Sequence, residues 1–128
     1  MLKKIHTDRA PAPIGPYSQG VLVEGTFVYT AGQTPIDPST NIVVTGDIKA
    51  QTRQSIRNVE QILIAGGSSL NAVIKTTVFL KDMNEFAAMN EVYAEFFSGS
   101  APARSTVEVA RLPRDVKVEI EAIGLVEK

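Results

Sequence analysis

Arg104 and Glu119 are the two side chains whose chemistry best fits a reaction on a small acid. A planar guanidinium binds a carboxylate through two parallel hydrogen bonds. A carboxylate nearby can orient a water molecule or take its proton. Both side chains reach one cavity if their strands are neighbours or meet across an interface between subunits. The alternative is a structural Arg–Glu salt bridge, because ion pairs far outnumber catalytic pairs.

Three other residues are candidates for the wall of such a cavity, and each has a simpler alternative role. Tyr17 follows a proline-rich loop and can line a pocket with its ring, or it packs as an amphipathic residue. Asn90 lies one helical turn after Phe86 and either touches a ligand or satisfies a backbone group. Gly32 either lets a backbone N–H approach a ligand or serves as a turn glycine.

Composition excludes several kinds of chemistry. The chain has no cysteine, which excludes thiol nucleophiles, disulfides and thiolate metal sites. His6 is the only histidine, and a lone histidine makes neither a metal site nor a triad, so we assign it no role and predict no metal and no cofactor. The net charge is -1 and the longest basic run is Lys3–Lys4, so no electrostatic footprint for nucleic acid is visible.

The length of 128 residues fits one domain, and no linker, repeat or low-complexity tract divides it. We therefore predict a single domain over residues 1–128. The N-terminal residues lack the apolar segment of a signal peptide, and no apolar run approaches the roughly 20 residues of a membrane span. We expect a cytoplasmic protein.

Two helices are predicted from apolar spacing and capping residues. The first runs from Asp47 to Ala65, with Asp47 as N-cap and a glycine pair as its stop. The second runs from about Met83 to Phe97, with Asp82 as cap and Glu85 completing a capping box. Its predicted buried stripe consists of Phe86, Met89, Tyr93 and Phe96.

The strands are read from alternation and turn residues. Val21 to Gly32 predicts a hairpin that turns at Glu24–Gly25. Single strands are predicted at Ala72–Lys81, at about Ala103–Val109 and at Val116–Leu125. The order β-β-α-β-α-β-β indicates an α+β fold, with a mixed or mostly antiparallel sheet and two helices packed on one face.

The last predicted strand has one face that is neither apolar nor fully polar. Val118, Ile120 and Ala122 suit packing under the helices, whereas the opposite face places Ile123 and Leu125 beside carboxylates. Because apolar sheet faces need cover, we expect another subunit to cover this face. The alternative is an exposed apolar pair, which is common on ordinary surfaces.

Four segments resemble the Rid family, the reactive intermediate deaminases that are also called YjgF-like proteins. They are Ala12–Gln19 (APIGPYSQ), Thr30–Gln33 (TAGQ), Lys75–Asp82 (KTTVFLKD) and Pro102–Pro113 (PARSTVEVARLP), the last continuing into Val118–Ala122 (VEIEA). The likeness covers essentially the whole chain, and the last segment is highly specific.

The resemblance implies a chorismate-mutase-like fold and a homotrimer with a barrel-like core, with ligand sites in the clefts between subunits. It implies hydrolysis of 2-iminobutanoate and 2-iminopropanoate to 2-oxo acids and ammonia, which removes reactive intermediates, without any cofactor. By position, Arg104 would hold the substrate carboxylate and Glu119 would position the attacking water. Tyr17 and Asn90 would line the cleft, and Gly32 and Thr106 would offer backbone contacts.

Two positions depart from the pattern of many relatives. Thr106 stands where they have cysteine, so a backbone role survives here but a thiol role does not. Ala31 stands where they have serine, which removes one hydroxyl from the pocket wall.

Two other functions are alternatives to imine hydrolysis. The first is a regulatory protein that binds small carboxylates without turnover, because fold alone does not fix activity. The second is a ribonuclease or translation inhibitor, which the absence of a basic patch and of a histidine pair disfavours.

Overall fold

The computed structural model describes residues 2–99 and 101–127. Within that part, helices α1 (Ile48–Ala65) and α2 (Phe86–Phe97) pack on one face of a four-stranded sheet. None of the helices described there is long and apolar enough to cross a membrane. The described residues form, in chain order, the strands β1 (Leu2–Ile5), β2 (Gly20–Val23), β3 (Phe27–Tyr29), β4 (Ile36–Asp37), β5 (Ile42–Val43), β6 (Val73–Leu80), β7 (Ala103–Glu108) and β8 (Val118–Leu125).

The main sheet has the order β3-β8-β6-β7. β6 and β7 run parallel, while β8 is antiparallel to both β6 and β3, so the sheet is mixed. A parallel pair needs a crossover, and α2 supplies it between β6 and β7. The predicted α+β class with a mixed sheet and two helices is confirmed.

The core lies between the helices and one face of β6 and β8. Along β8, Val118, Ile120 and Ala122 are buried, as the alternation predicted. Helix α1 begins as expected, because the Asp47 side chain accepts a hydrogen bond from the Ala50 N–H at 3.0 Å. The helices contribute the other half of the core through Ile48, Ile56, Val59, Leu63, Met89, Tyr93 and Phe97.

The predicted hairpin from Val21 to Gly32 is wrong. Strand β2 pairs with β1, and β3 pairs with β8, so the two segments belong to different sheets. Gly25 has a φ of 151°, a positive value that residues with side chains rarely adopt, and a Cβ there would overlap the Leu125 side chain. The chain therefore crosses from one sheet to the other at Gly25.

Details of β6 and α2 also differ from the prediction. A register shift between Val73 and Lys75 puts Val73, in place of Ile74, on the buried face of β6. Helix α2 starts at Phe86, because a 3-10 turn at Met83–Glu85 precedes it. Its buried stripe ends in Phe97; Phe96 is only half-buried.

Candidate active site

Arg104 lies near the start of β7, at the edge of the sheet. Its β6 neighbour in the parallel register is Thr76, which is fully buried under the helices. Paired residues on neighbouring strands point to the same face of a sheet. The Arg104 side chain therefore extends over the helix side of the sheet, toward α2.

Helix α2 presents one face to this guanidinium. Phe86, Asn90 and Tyr93 follow the i, i+4, i+7 spacing that places side chains on one side of a helix. Asn90 Oδ1 accepts a hydrogen bond from Arg104 Nη1 at 2.7 Å. Arg104 Cζ lies 5.5 Å from the centre of the Phe86 ring and 4.7 Å from that of Tyr93, within range of cation–π attraction.

The proline-rich loop closes the other side. Arg104 Cζ lies 5.2 Å from the centre of the Tyr17 ring. The Ser18 N–H donates to Pro102 O at 2.9 Å, which fixes the loop beside β7. Gly15 approaches so closely that a Cβ there would stand 3.2 Å from Arg104 Nη2. We call Asn90 and the three rings of Tyr17, Phe86 and Tyr93 the neutral cage.

The neutral cage gives Arg104 no counter-charge. Among the described residues, no carboxylate lies within ion-pair distance of this guanidinium. Burial raises the pKa of Tyr93 to about 12, so its hydroxyl, paired with Thr76 Oγ1 at 2.7 Å, stays neutral. Burial lowers the pKa of Arg104, but a guanidinium remains charged at every physiological pH. The site therefore holds an unneutralised, half-buried positive charge.

The Arg104 guanidinium opens into a cavity of about 160 Å³, lined by Ile14, Tyr17, Phe86, Arg104 and Thr106. Thr106 Oγ1 is buried and has no hydrogen-bond partner within the described part of the chain. Aromatic and aliphatic walls around one cationic group suit a small anion that carries a short apolar substituent.

Glu119 lies elsewhere. It pairs with Phe79 of β6, so it occupies the face of the sheet that is away from the helices. Its carboxylate rests on Gly32, where an added Cβ would overlap it. Burial raises the pKa of Glu119, and the neighbouring charge of Glu121 raises it further.

The predicted site residues thus form two groups within one protomer. Tyr17, Asn90 and Thr106 surround Arg104, whereas Gly32 accompanies Glu119 on the opposite face. The possibility that the strands of Arg104 and Glu119 are neighbours is wrong, because β6 separates β7 from β8. A salt bridge between them inside one protomer is wrong for the same reason.

Sequence reasoning missed four residues of the Arg104 group. Phe86 and Tyr93 read as core residues, yet their spacing with Asn90 already indicated a shared helix face. Ile14 and Gly15 belong to the proline-rich loop and to the family-like segment Ala12–Gln19, but neither was singled out as a site residue, and no periodic signal marks them.

Comparison with known proteins agrees with this fold. A RutC family protein of Pyrococcus horikoshii is 61% identical over 99% of this chain and 100% of its own length. The 2-iminobutanoate/2-iminopropanoate deaminase of Salmonella typhimurium is 53% identical over 98% of both chains. The crystal structure of Escherichia coli TdcF with bound serine superposes with a TM-score of 0.76 at 48% identity, covering 98% of this chain and 99% of that one.

The family model described as Endoribonuclease L-PSP matches residues 7–126. Nearly the whole chain is thus covered by the family model, by curated relatives above 50% identity and by a solved structure. This chain therefore belongs to the Endoribonuclease L-PSP family, which is the YjgF-like or Rid family that its motifs resemble.

Proposed function

We propose that this protein hydrolyses 2-imino acids, with 2-iminobutanoate and 2-iminopropanoate as substrates, to 2-oxo acids and ammonia. The observation that carries the proposal is the half-buried guanidinium of Arg104, which faces a small apolar cavity and has no carboxylate partner among the described residues. Such a group binds a small carboxylate in a defined orientation. Relatives of more than 50% identity that bear the name of this deaminase support it.

The chemistry needs few groups. Water attacks C2 of the protonated imine, and Glu119 accepts a proton from that water as the C–O bond forms. Glu119 then returns this proton to the nitrogen of the neutral carbinolamine. The C–N bond breaks and releases ammonia, while the hydroxyl oxygen forms the carbonyl and its proton passes to the departing ammonia or to water. A protonated imine is already electrophilic, so orientation by Arg104 and a placed water supply most of the acceleration. No cofactor enters this scheme.

Arg104 and Glu119 must then come from different subunits. One protomer carries them on opposite faces of its sheet, so a cleft that holds both needs a second copy. If the Arg104 patch of one copy binds the Glu119 patch of the next in head-to-tail fashion, repetition of this contact closes into a ring when the rotation between neighbours allows it. This favours the homotrimer that the family resemblance implies.

The open sheet face has the composition of a subunit interface. Val107 is 42% exposed, and Phe79, Ile123 and Leu125 are half-buried on the same face. Apolar residues clustered around Glu119 favour cover by another copy, which would also remove water from this carboxylate.

The description of the family names an endoribonuclease, but the site favours an imine hydrolase. His6, the single histidine, is exposed, lies 3.2 Å from the exposed Asp8 carboxylate and does not line the Arg104 cavity. The Arg104 cavity, at about 160 Å³, suits a small acid better than a nucleotide.

The test is a coupled assay. A threonine dehydratase generates 2-iminobutanoate, and semicarbazide traps whatever this protein fails to hydrolyse. We expect the wild-type protein to lower semicarbazone formation, and Arg104→Lys to lose at least about tenfold in turnover because the planar fork is lost. Arg111→Lys is the matched control, since Arg111 is exposed and pairs with Asp115. Equal turnover by Arg104→Lys and the control would refute the assignment of Arg104.

A second candidate is a protein that binds small carboxylates without turnover. The TdcF structure with bound serine favours a site for small amino-acid-like ligands in this family. The two candidates separate in the same assay, because a pure binder sequesters the imine only up to its own concentration. Semicarbazone suppression that continues over many equivalents supports the hydrolase.

A further inference from the structure

We propose that Asn90 is a positioning residue whose lack of charge keeps Arg104 available for the substrate carboxylate. The inference rests on the proposed function, since it concerns the same site. It assigns to Asn90 a role through Arg104, rather than a role in lining the cleft.

The other arginines with side-chain partners show what Arg104 lacks. Arg53 binds Glu95 through two hydrogen bonds of 2.6 and 3.2 Å, and Arg57 and Arg111 also pair with carboxylates. The side chains of all three are about half exposed or more, so water already screens their charge. Arg104 is more buried than these, yet its hydrogen-bond partner is the neutral amide of Asn90. Of these four arginines, Arg104 is thus the most buried and is the one without a carboxylate partner among the described residues.

The amide of Asn90 also fixes the direction of the guanidinium. Its oxygen takes one N–H of Nη1 at 2.7 Å, while the rings of Tyr17, Phe86 and Tyr93 surround the carbon. A guanidinium has five N–H donors, so this single bond leaves most of them for a ligand. Asn90 therefore orients Arg104 without occupying the edge that binds a carboxylate.

An aspartate at position 90 would have the same shape and a full negative charge. It would form a charge-assisted pair with Arg104 in a half-buried setting and would compete directly with the substrate carboxylate. The fold would tolerate this change, because the pair satisfies both charges. We therefore expect Asn90→Asp to lose ligand affinity without losing stability. A packing defect would instead lower stability.

The experiment uses the intact protein and measures equilibrium binding of 2-oxobutanoate by calorimetry, together with the thermal unfolding midpoint. We expect Asn90→Asp to weaken binding by at least about tenfold, consistent with one charge-assisted hydrogen bond, and to leave the midpoint equal to or above that of the wild type. Asn71→Asp is the matched control, because Asn71 is exposed in the 3-10 turn before β6 and lies outside the cavity. Asn71→Asp makes the same charge change and should alter neither the affinity for 2-oxobutanoate nor the thermal midpoint.

Two further variants make the result decisive. In the Arg104→Met background, Asn90→Asp should lower the midpoint, because the new carboxylate then has no partner. Asn90→Ser keeps the position neutral and should weaken binding less than Asn90→Asp does. Wild-type affinity in Asn90→Asp, or an equal loss in both position-90 variants with a lowered midpoint, would overturn the proposal.

This design separates the inference from the proposed function. If the wild-type protein binds 2-oxobutanoate but hydrolyses no imine, the proposed function fails while the comparison of variants still decides the role of Asn90. If the wild-type protein binds no 2-oxobutanoate at all, Arg104 is not a carboxylate site and the inference is overturned as well.

Discussion

Arg104 and Glu119 lie on opposite faces of one sheet, on strands β7 and β8, with β6 between them. Arg104 faces the helices through its register with Thr76, and Glu119 faces away through its register with Phe79. A reaction that needs both groups at one substrate therefore requires two copies of the chain. The proposed mechanism can therefore be tested through the assembly of the subunits.

The first prediction is that two inactive variants complement each other. Arg104→Met retains Glu119, and Glu119→Gln retains Arg104, so a mixed ring contains sites with both native groups. In a random equal mixture, about one quarter of the sites regain the pair, because each adjoining subunit is of the right type half the time. Co-refolded mixtures should therefore recover about a quarter of wild-type turnover. Mixtures that stay as inactive as the separate variants would mean that one subunit supplies both groups.

The second prediction concerns the open sheet face. Light scattering in dilute neutral buffer should give about three times 13.8 kDa for the wild type. Val107→Asp places a charge on the face that carries Glu119 and should dissociate the ring and abolish turnover. Ile64→Asp is the control, because Ile64 is 53% exposed on α1 and lies away from that face. An active Val107→Asp monomer would contradict both the interface and the shared site.

Local patterns were readable from the sequence, while long-range pairing was not. The N-cap Asp47 and the alternation of Val118, Ile120 and Ala122 depend on near neighbours, and both were predicted correctly. The position of β6 between β7 and β8 depends on pairing among distant segments, which no periodicity encodes. The separation of Arg104 from Glu119 follows from that strand order.

The surroundings of Arg104 were only partly predictable for a related reason. Asn90 was named as a candidate, but its partner lies fourteen residues away on another element. Tyr93 looked like any buried aromatic residue, because its contact with the guanidinium depends on how α2 crosses β7. The sequence indicated which residues carry chemistry but not which of them meet.

The third prediction concerns pH. Burial raises the pKa of Glu119, and the charge of Glu121 raises it further. Because protonated Glu119 cannot act as a base, kcat/KM should fall at low pH. The midpoint of this fall should lie above the usual glutamate pKa of about 4.3. Glu121→Gln removes the like charge, lowers the pKa of Glu119 and should move this acid limb to lower pH. Glu24→Gln, in the connection between β2 and β3, is the control. An acid limb that stays in place in Glu121→Gln would contradict the assignment of Glu119 as the titrating base.

The fourth prediction is that turnover does not depend on a metal ion. The chain has one histidine and no cysteine, and residues 2–99 and 101–127 contain no group of three side chains suited to hold a metal. Hydrolysis through Arg104 and Glu119 needs no Lewis acid, because the protonated imine is already electrophilic. Imine turnover should be unchanged after exhaustive chelation. Activity that is lost on chelation and restored by one particular metal would refute this scheme.

The last prediction separates catalysis from structure at Glu119 through Glu119→Gln. Because Glu119 has no cationic partner in the described part of the protomer and its pKa is raised by burial, its ionised form is destabilised by folding, and the amide removes that cost. The raised pKa means that Glu119 binds its proton more tightly in the folded protein than in the unfolded chain. The loss of folding stability caused by its ionisation is therefore complete above the pKa of the folded state and disappears below the pKa of the unfolded state. At neutral pH the thermal midpoint of Glu119→Gln should therefore equal or exceed that of the wild type.

Turnover by Glu119→Gln should fall, although its thermal midpoint does not. If Glu119 takes the proton of the attacking water, its loss should lower kcat by about 10²-fold. Binding of 2-oxobutanoate should persist, since Arg104 and its neutral cage are unchanged, and a lower kcat with retained binding is the mark of a group that acts in the transition state. Both quantities are measured on one preparation, by calorimetry and by the semicarbazide-coupled assay. A lowered midpoint with unchanged turnover per folded protein would show that Glu119 is structural and that another group activates the water.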